Sequence, residues 1–201
     1  MNKVIKQLKE LEKLSHDDIR LAAEEWSKPW QTLISTQLSA RTRDETTIRV
    51  SNVLFRKYKT AKSLGNASLG SIQKIIRPVN FFRNKSKNVK NCCKILAKEY
   101  KGNPPHDFDK LIKLPGVGRK TANVFLSEMG KQAIGVDTHL SYISQKLGWT
   151  KNKNPHKIEK DLEKLFPHNC WKRINPIVVR FGKTYTSRKK KNLLLERIKS
   201  I

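Results

Sequence analysis

The sequence predicts an all-α protein of about ten short helices. Three observations carry this. Apolar residues recur at three- and four-residue spacing along nearly the whole chain. No segment shows the strict apolar–polar alternation of a half-buried strand. No long linker or internal repeat interrupts the helical pattern.

The first segment, Met1 to Leu21, is charged and amphipathic. Trp30, Leu33, Ile34 and Leu38 then share one helical face. Thr42-Arg43-Asp44-Glu45 has the form of a capping box, and Ile48, Leu54, Phe55 and Tyr58 line one side of the helix it would open. Ile72, Ile75, Ile76 and Val79 make a short stripe; Val89, Cys92, Leu96 and Tyr100 make a longer one that Gly102 and Pro104-Pro105 stop. Phe108, Leu111 and Ile112 form a short helix running into Leu114-Pro115-Gly116-Val117-Gly118. Ala122, Phe125 and Met129 carry the next helix, which Gly130 ends. A helix starts near Asp137 with Ile143 and Leu147. Asn154-Pro155 opens another, with Ile158, Leu162, Leu165 and Phe166 on its face. Trp171, Ile174, Val178 and Phe181 follow, with Pro176 expected as a kink and Gly182 as a stop. The basic run Arg188 to Lys191 precedes a last amphipathic piece ending at Ile201.

The 201 residues carry 43 Lys plus Arg against 17 acids, a formal net charge of +26. Such an excess opposes compaction unless a polyanion rests against it, which points to nucleic acid before an anionic membrane surface. A coding bias toward Lys, Asn and Ile would raise the charge too, so the partner has to be argued from a site. No run of about 18 apolar residues is present, so no membrane span is expected. The N-terminus lacks the apolar core of a signal peptide, and the protein is read as intracellular, in cytoplasm or nucleoid, or the nucleus of a eukaryote. Cys92, Cys93 and Cys170 fit no zinc or iron–sulfur spacing and read as reduced thiols. The five histidines form no ligand set, so no metal is expected.

The chemistry concentrates in Leu114-Pro115-Gly116-Val117-Gly118-Arg119-Lys120-Thr121-Ala122 and, downstream, Val136-Asp137-Thr138-His139. Two helices joined by Pro-Gly-Val-Gly aim several backbone N–H groups one way, and the glycines permit close approach. The N-terminus of the second helix adds a partial positive charge, so a phosphate fits there. Such contacts hold a backbone without reading sequence; an ordinary tight turn would also use these glycines. Lys120 stands in the first turn of the second helix. Its amine can attack the sugar C1′ of a nucleotide, displace the base and form a Schiff base. Loss of a C2′ proton then breaks the strand by β-elimination. A solvated lysine touching a phosphate is the plainer reading of one lysine among so many. Asp137 can stabilise the oxocarbenium-like charge on the sugar as the base leaves. It is equally well placed as a helix N-cap before Thr138, and the two roles are compatible if the cap uses one carboxylate oxygen.

At these residues the chain resembles the helix-hairpin-helix DNA glycosylases of the endonuclease III group. The likeness is dense from Leu111 to Leu140 and thinner from Pro29 to Phe181. It implies a helix-hairpin-helix DNA glycosylase fold of two helical lobes with a DNA-binding cleft between them. One is a six-helix barrel over 22–135; the other joins 1–21 to 136–201. It implies a monomeric base-excision repair enzyme, a bifunctional DNA N-glycosylase and AP lyase. The catalytic pair would be Lys120 and Asp137, and the partner double-stranded DNA with damaged bases or abasic sites. Lys120 favours the lyase, and oxidised pyrimidines are the expected substrates. A glycosylase for mismatches or other damaged bases, and a non-catalytic helix-hairpin-helix DNA-binding protein, stay open. The hairpin contacts would come from Leu114, Gly116, Val117, Gly118, Arg119 and Thr121, with His139 at the pocket or a phosphate. The resemblance also implies that the target base is flipped out of the stack, and that two loops, 39–44 and 79–83, fill the gap it leaves. Arg41 lies where some relatives carry glutamine, Phe81 where an apolar wedge is usual, and Arg83 follows in the same loop. Many relatives hold a [4Fe–4S] cluster on four C-terminal cysteines. Here Thr186 stands where the first would be and no cysteine follows, so no cofactor is expected. The basic run at 188–191 and the stripe Leu193, Leu194, Ile198 are the expected replacement.

Overall fold

The computed structural model describes residues 2–201. Its helices are α1 (Lys3–Lys13), α2 (Pro29–Ser39), α3 (Asp44–Lys57), α4 (Ala61–Asn66), α5 (Leu69–Ile76) and α6 (Phe82–Glu99), followed by α7 (Phe108–Leu111), α8 (Arg119–Glu128), α9 (Thr138–Leu147), α10 (Pro155–Leu165), α11 (Trp171–Thr184) and α12 (Arg188–Lys199). A single 3-10 turn, His168–Cys170, precedes α11, and no strand occurs among the described residues. The fold is all-α. The chain divides into two units, Ala22–Met129 and a second made of Met1–Leu21 with Gly130–Ile201. Residues 130–135 therefore group with the second unit rather than with the 22–135 lobe expected from sequence.

In the continuous unit, α2 is buried on nearly every side, and its Trp30, Leu33, Ile34 and Leu38 meet the stripes of α3, α6 and α8. Phe55 takes the edges of Trp26 and Trp30 with ring centroids 4.9 and 5.1 Å apart, a geometry that aromatic quadrupoles favour. Helix α4 gives little periodic signal in its six residues. Thr60 caps it, accepting from Ser63 N at 3.0 Å, and it packs on α6. The expected capping box at Thr42 does not form. Arg43 is the N-cap of α3 without a side-chain bond, and the Thr42 hydroxyl turns to the 79–83 loop instead.

Cys92 and Cys93 lie fully buried on α6. Burial pushes the Cys92 thiol up to about 12, and the Cys93 thiol also rises through burial and the neighbouring Cys92. Because the thiolate is the reactive form, a thiol reagent at pH 8 is expected to label only Cys170 in the native protein. All three should react after denaturation, which mass spectrometry of the labelled protein checks.

In the discontinuous unit, α1 lays Val4, Leu8 and Leu11 into a core with Leu140, Ile143, Ile158, Leu162, Ile174, Val178, Phe181, Leu195 and Ile198. Buried Gln7 ties three segments: its Nε2 donates to Ile198 O at 3.3 Å, and its Oε1 accepts from Trp149 Nε1 at 2.7 Å. Helix α11 continues through Pro176 and Gly182, so Gly182 is no stop. An interior proline costs about 3 kcal/mol and a glycine about 1. Burying Ile174, Ile177, Val178 and Phe181 returns about 1.5–3 kcal/mol for each side chain, which outweighs both. The run 188–191 does not precede the last helix but forms its first turn. Cations at that end oppose the helix dipole, and local contacts offset the cost. Lys191 Nζ donates to Gly182 O at 2.8 Å, Arg188 lies over Tyr142 and Lys190 over Tyr185.

Candidate active site

The hairpin between α7 and α8 is held from inside. Leu114 N–H donates to Leu111 O at 3.0 Å and Val117 N–H to Leu114 O at 3.1 Å, closing two tight turns in sequence. The side chains of Leu114 and Val117 are buried, 4% and 5% exposed, and Thr121 is 8% exposed. These three were expected among the DNA-contacting residues. Their side chains pack inward, which leaves their main chain for such a contact. Gly116 sits at φ +79°, in the left-handed region, and a Cβ there would lie 2.8 Å from Asn88 Cβ and 2.9 Å from Gln37 Oε1. Gly116→Ala is therefore expected to cost about 2 kcal/mol from backbone strain and overpacking together. Urea unfolding checks it, with a loss below about 0.5 kcal/mol overturning the argument.

Gly118 is the N-cap of α8 and brings no side-chain cap, and the first intrahelical acceptor bond is Ala122 N–H to Gly118 O at 2.9 Å. The first-turn N–H groups before Ala122 have no partner within the helix. Arg119 is the first helical residue, its guanidinium 4.8 Å above the Phe108 ring. Lys120 is second and half-buried, and within its unit no hydrogen bond or ion pair engages its Nζ.

The same unit joins the loops that follow α2 and precede α6. Arg41 and Phe81 are both non-glycine residues in the left-handed region, at φ +55° and +59°. Such a backbone costs about 1–2 kcal/mol per residue. Phe81 is 58% exposed, and the Arg41 guanidinium lies 5.4 Å from its ring centroid. Asn80 N–H donates to Thr42 Oγ1 at 3.2 Å, and Asn80 Nδ2 to Arg41 O. Arg83 is exposed and rests over the Phe82 ring at 5.7 Å. Sequence reading missed Lys85, half-buried on the first turns of α6. It donates to Leu38 O at 2.7 Å, Ala40 O at 2.6 Å and Thr42 Oγ1 at 3.4 Å. Burial brings it down to about 8. A lysine among 43 basic residues gives no signal of such a role in sequence.

Asp137 belongs to the other unit. The extended segment before it buries Ile134, Gly135 and Val136, and buried Asn175 of α11 donates through Nδ2 to Gly135 O. Asp137 is the N-cap of α9, its Oδ1 accepting from Leu140 N at 2.8 Å. Oδ2 takes no part in that cap. His139, expected at the pocket or a phosphate, is half-buried against Gly182, where a Cβ would come within 2.3 Å of its Nδ1. Glycine at 182 thus serves close approach to an imidazole. Among the described residues no group of three or more His, Cys, Asp or Glu is placed to hold a metal.

Two helices joined by a Pro-Gly-Val-Gly turn, with a lysine in the first turn of the second, define a helix-hairpin-helix arrangement. Residues 34–168 match the family described as HhH-GPD superfamily base excision DNA repair protein. The chain belongs to the HhH-GPD superfamily of base excision DNA repair proteins. It is 42% identical to endonuclease III of Thermotoga maritima over 77% of this chain and 73% of that protein. It is 37% identical to endonuclease III of Synechocystis over 83% and 77%. A trapped covalent endonuclease III–DNA intermediate superposes with a TM-score of 0.85 at 33% identity, covering 94% of this chain and 90% of the other. A thermostable thymine-DNA glycosylase, 19% identical with a TM-score of 0.79, shares the fold.

Proposed function

We propose that the chain is a bifunctional DNA N-glycosylase and AP lyase of base-excision repair, acting as a monomer on oxidised pyrimidines in intracellular double-stranded DNA. The observation that carries this reading is the placement of Lys120. Its amine, unengaged within its unit, follows directly on a glycine hairpin suited to a phosphate. The close likeness to endonuclease III supports it. In the proposed reaction Nζ attacks C1′, the C1′–base bond breaks and the base leaves with its electron pair and a proton. The sugar ring opens to a Schiff base on Lys120. Loss of the C2′ proton then expels the 3′ phosphate and breaks the strand. Asp137 is assigned the stabilisation of the positive charge that grows on the sugar, through Oδ2, while Oδ1 keeps its cap. The hairpin N–H groups hold the backbone, and Arg41, Phe81 and Arg83 occupy the gap.

The residues present do not fit the cluster that many relatives carry. A [4Fe–4S] cluster takes four thiolates, and the discontinuous unit holds one cysteine, Cys170. We therefore assign no cofactor. Incubation with an abasic-site duplex, borohydride and EDTA is expected to yield a covalent protein–DNA adduct. No adduct would refute the lyase. A panel of lesion duplexes then separates oxidised pyrimidines from mismatches.

A further inference from the structure

We propose that Lys85 is a positioning residue for base extrusion, clasping the two loops so that Arg41 and Phe81 stand together as a preformed wedge. This rests on the reading that those two residues fill the gap left by an extruded nucleotide. Three observations, independent of that reading, define the clasp. First, an ammonium has three donors and no acceptor, and Lys85 reaches three acceptors at the end of α2 and in the loop after it, two of them at 2.7 and 2.6 Å. The 2.7 Å bond falls in the range of charge-assisted N–H···O bonds. Second, Leu38 and Ala40 carbonyls belong to the C-terminal end of α2, where carbonyls lack helical partners and a cation is favoured. Third, both loop tips hold left-handed non-glycine residues, and each exposes a side chain to the other. Such a backbone persists only where its surroundings enforce it. Lys85 and the two Asn80 bonds are the enforcing contacts between the loops.

The consequence is a preorganised tool. An exposed Phe81 with Arg41 over its ring does not need ordering when the duplex opens, so less of the binding energy goes to arranging the protein. Removing the clasp should leave the amine and the hairpin untouched and impair only the step that needs a wedge.

The test compares single-turnover excision from a fully paired lesion duplex with excision from one whose lesion faces an abasic analogue, where little stacking must be undone. Lys85→Met is expected to slow the paired substrate about tenfold or more and the unpaired one by less than about threefold. Lys85→Arg, which restores a cation with several donors, should recover most of the rate on the paired duplex. Equal losses on both substrates, or no loss on either, would overturn the inference. If Lys85→Met does not fold, Lys85→Ala carries the same comparison, because it also removes every donor and leaves room for water at the freed carbonyls. Phe81→Ala separates the two layers of the argument. If it lowers neither substrate selectively, the wedge reading fails. If it is selective and the Lys85 variants are not, only the clasp fails.

Discussion

Lys120→Ala is expected to abolish the borohydride-trapped adduct with abasic DNA while leaving DNA affinity within a few-fold of wild type. The physical basis is local. Lys120 is the second residue of α8 and half-exposed, so its truncation opens no core cavity, and alanine is the better helix former. One phosphate-facing charge fewer among 43 basic residues should lower the slope of log affinity against log salt by at most about one. The Schiff base, by contrast, has no substitute in a backbone N–H or a guanidinium, neither of which forms an imine. Electrophoresis under denaturing conditions reads the adduct, and a salt titration by fluorescence anisotropy reads the affinity. An adduct that survives in Lys120→Ala would place the nucleophile on another amine.

Asp137→Asn is expected to slow base excision about 10²–10⁴-fold with almost no change in stability. The N-cap explains why the two readouts separate. Oδ1 accepts from Leu140 N, and asparagine offers the same carbonyl oxygen in the same place, as strong a cap as aspartate. What disappears is the negative charge on the other oxygen. Asp137→Ala supplies the contrast, since it removes both and should also lose about 1 kcal/mol from the helix terminus. Excision rates with thermal melting of the three proteins decide the matter. Wild-type excision in Asp137→Asn would reduce this residue to a cap.

Much of the architecture is legible in the chain because helical periodicity survives wherever one face is buried. The stripes through α2, α6 and α9 are of that kind. The readings that fail do so because a distant partner decides them. The Thr42 hydroxyl could cap its own helix, yet its bond comes from Asn80 in another loop, 38 residues away. Gly182 looks like a stop by local propensity, while the packing of His139 and the core face of α11 carry the helix onward. Helix α4 depends on its seat against α6 more than on its own six residues. The hairpin before α8 and the N-cap at Asp137 could be read from residue type and spacing. The inward turn of Leu114, Val117 and Thr121 could not, because small apolar and polar residues flank both binding and structural turns alike. Lys85 was invisible for the same reason that any single cation is invisible in a basic chain.

The division of the chain also sets the order in which its parts become available during synthesis. The unit over 22–129 is one unbroken stretch and can collapse as soon as it clears the ribosome. Helix α1 emerges earlier but has no partner then, because Val4, Leu8 and Leu11 pack in a core that includes Ile174, Val178, Leu195 and Ile198. Its apolar face waits until α11 and α12 have been translated. A nascent chain stalled within α10 would thus present a finished half beside an orphaned greasy helix, the form in which a holdase chaperone would meet it.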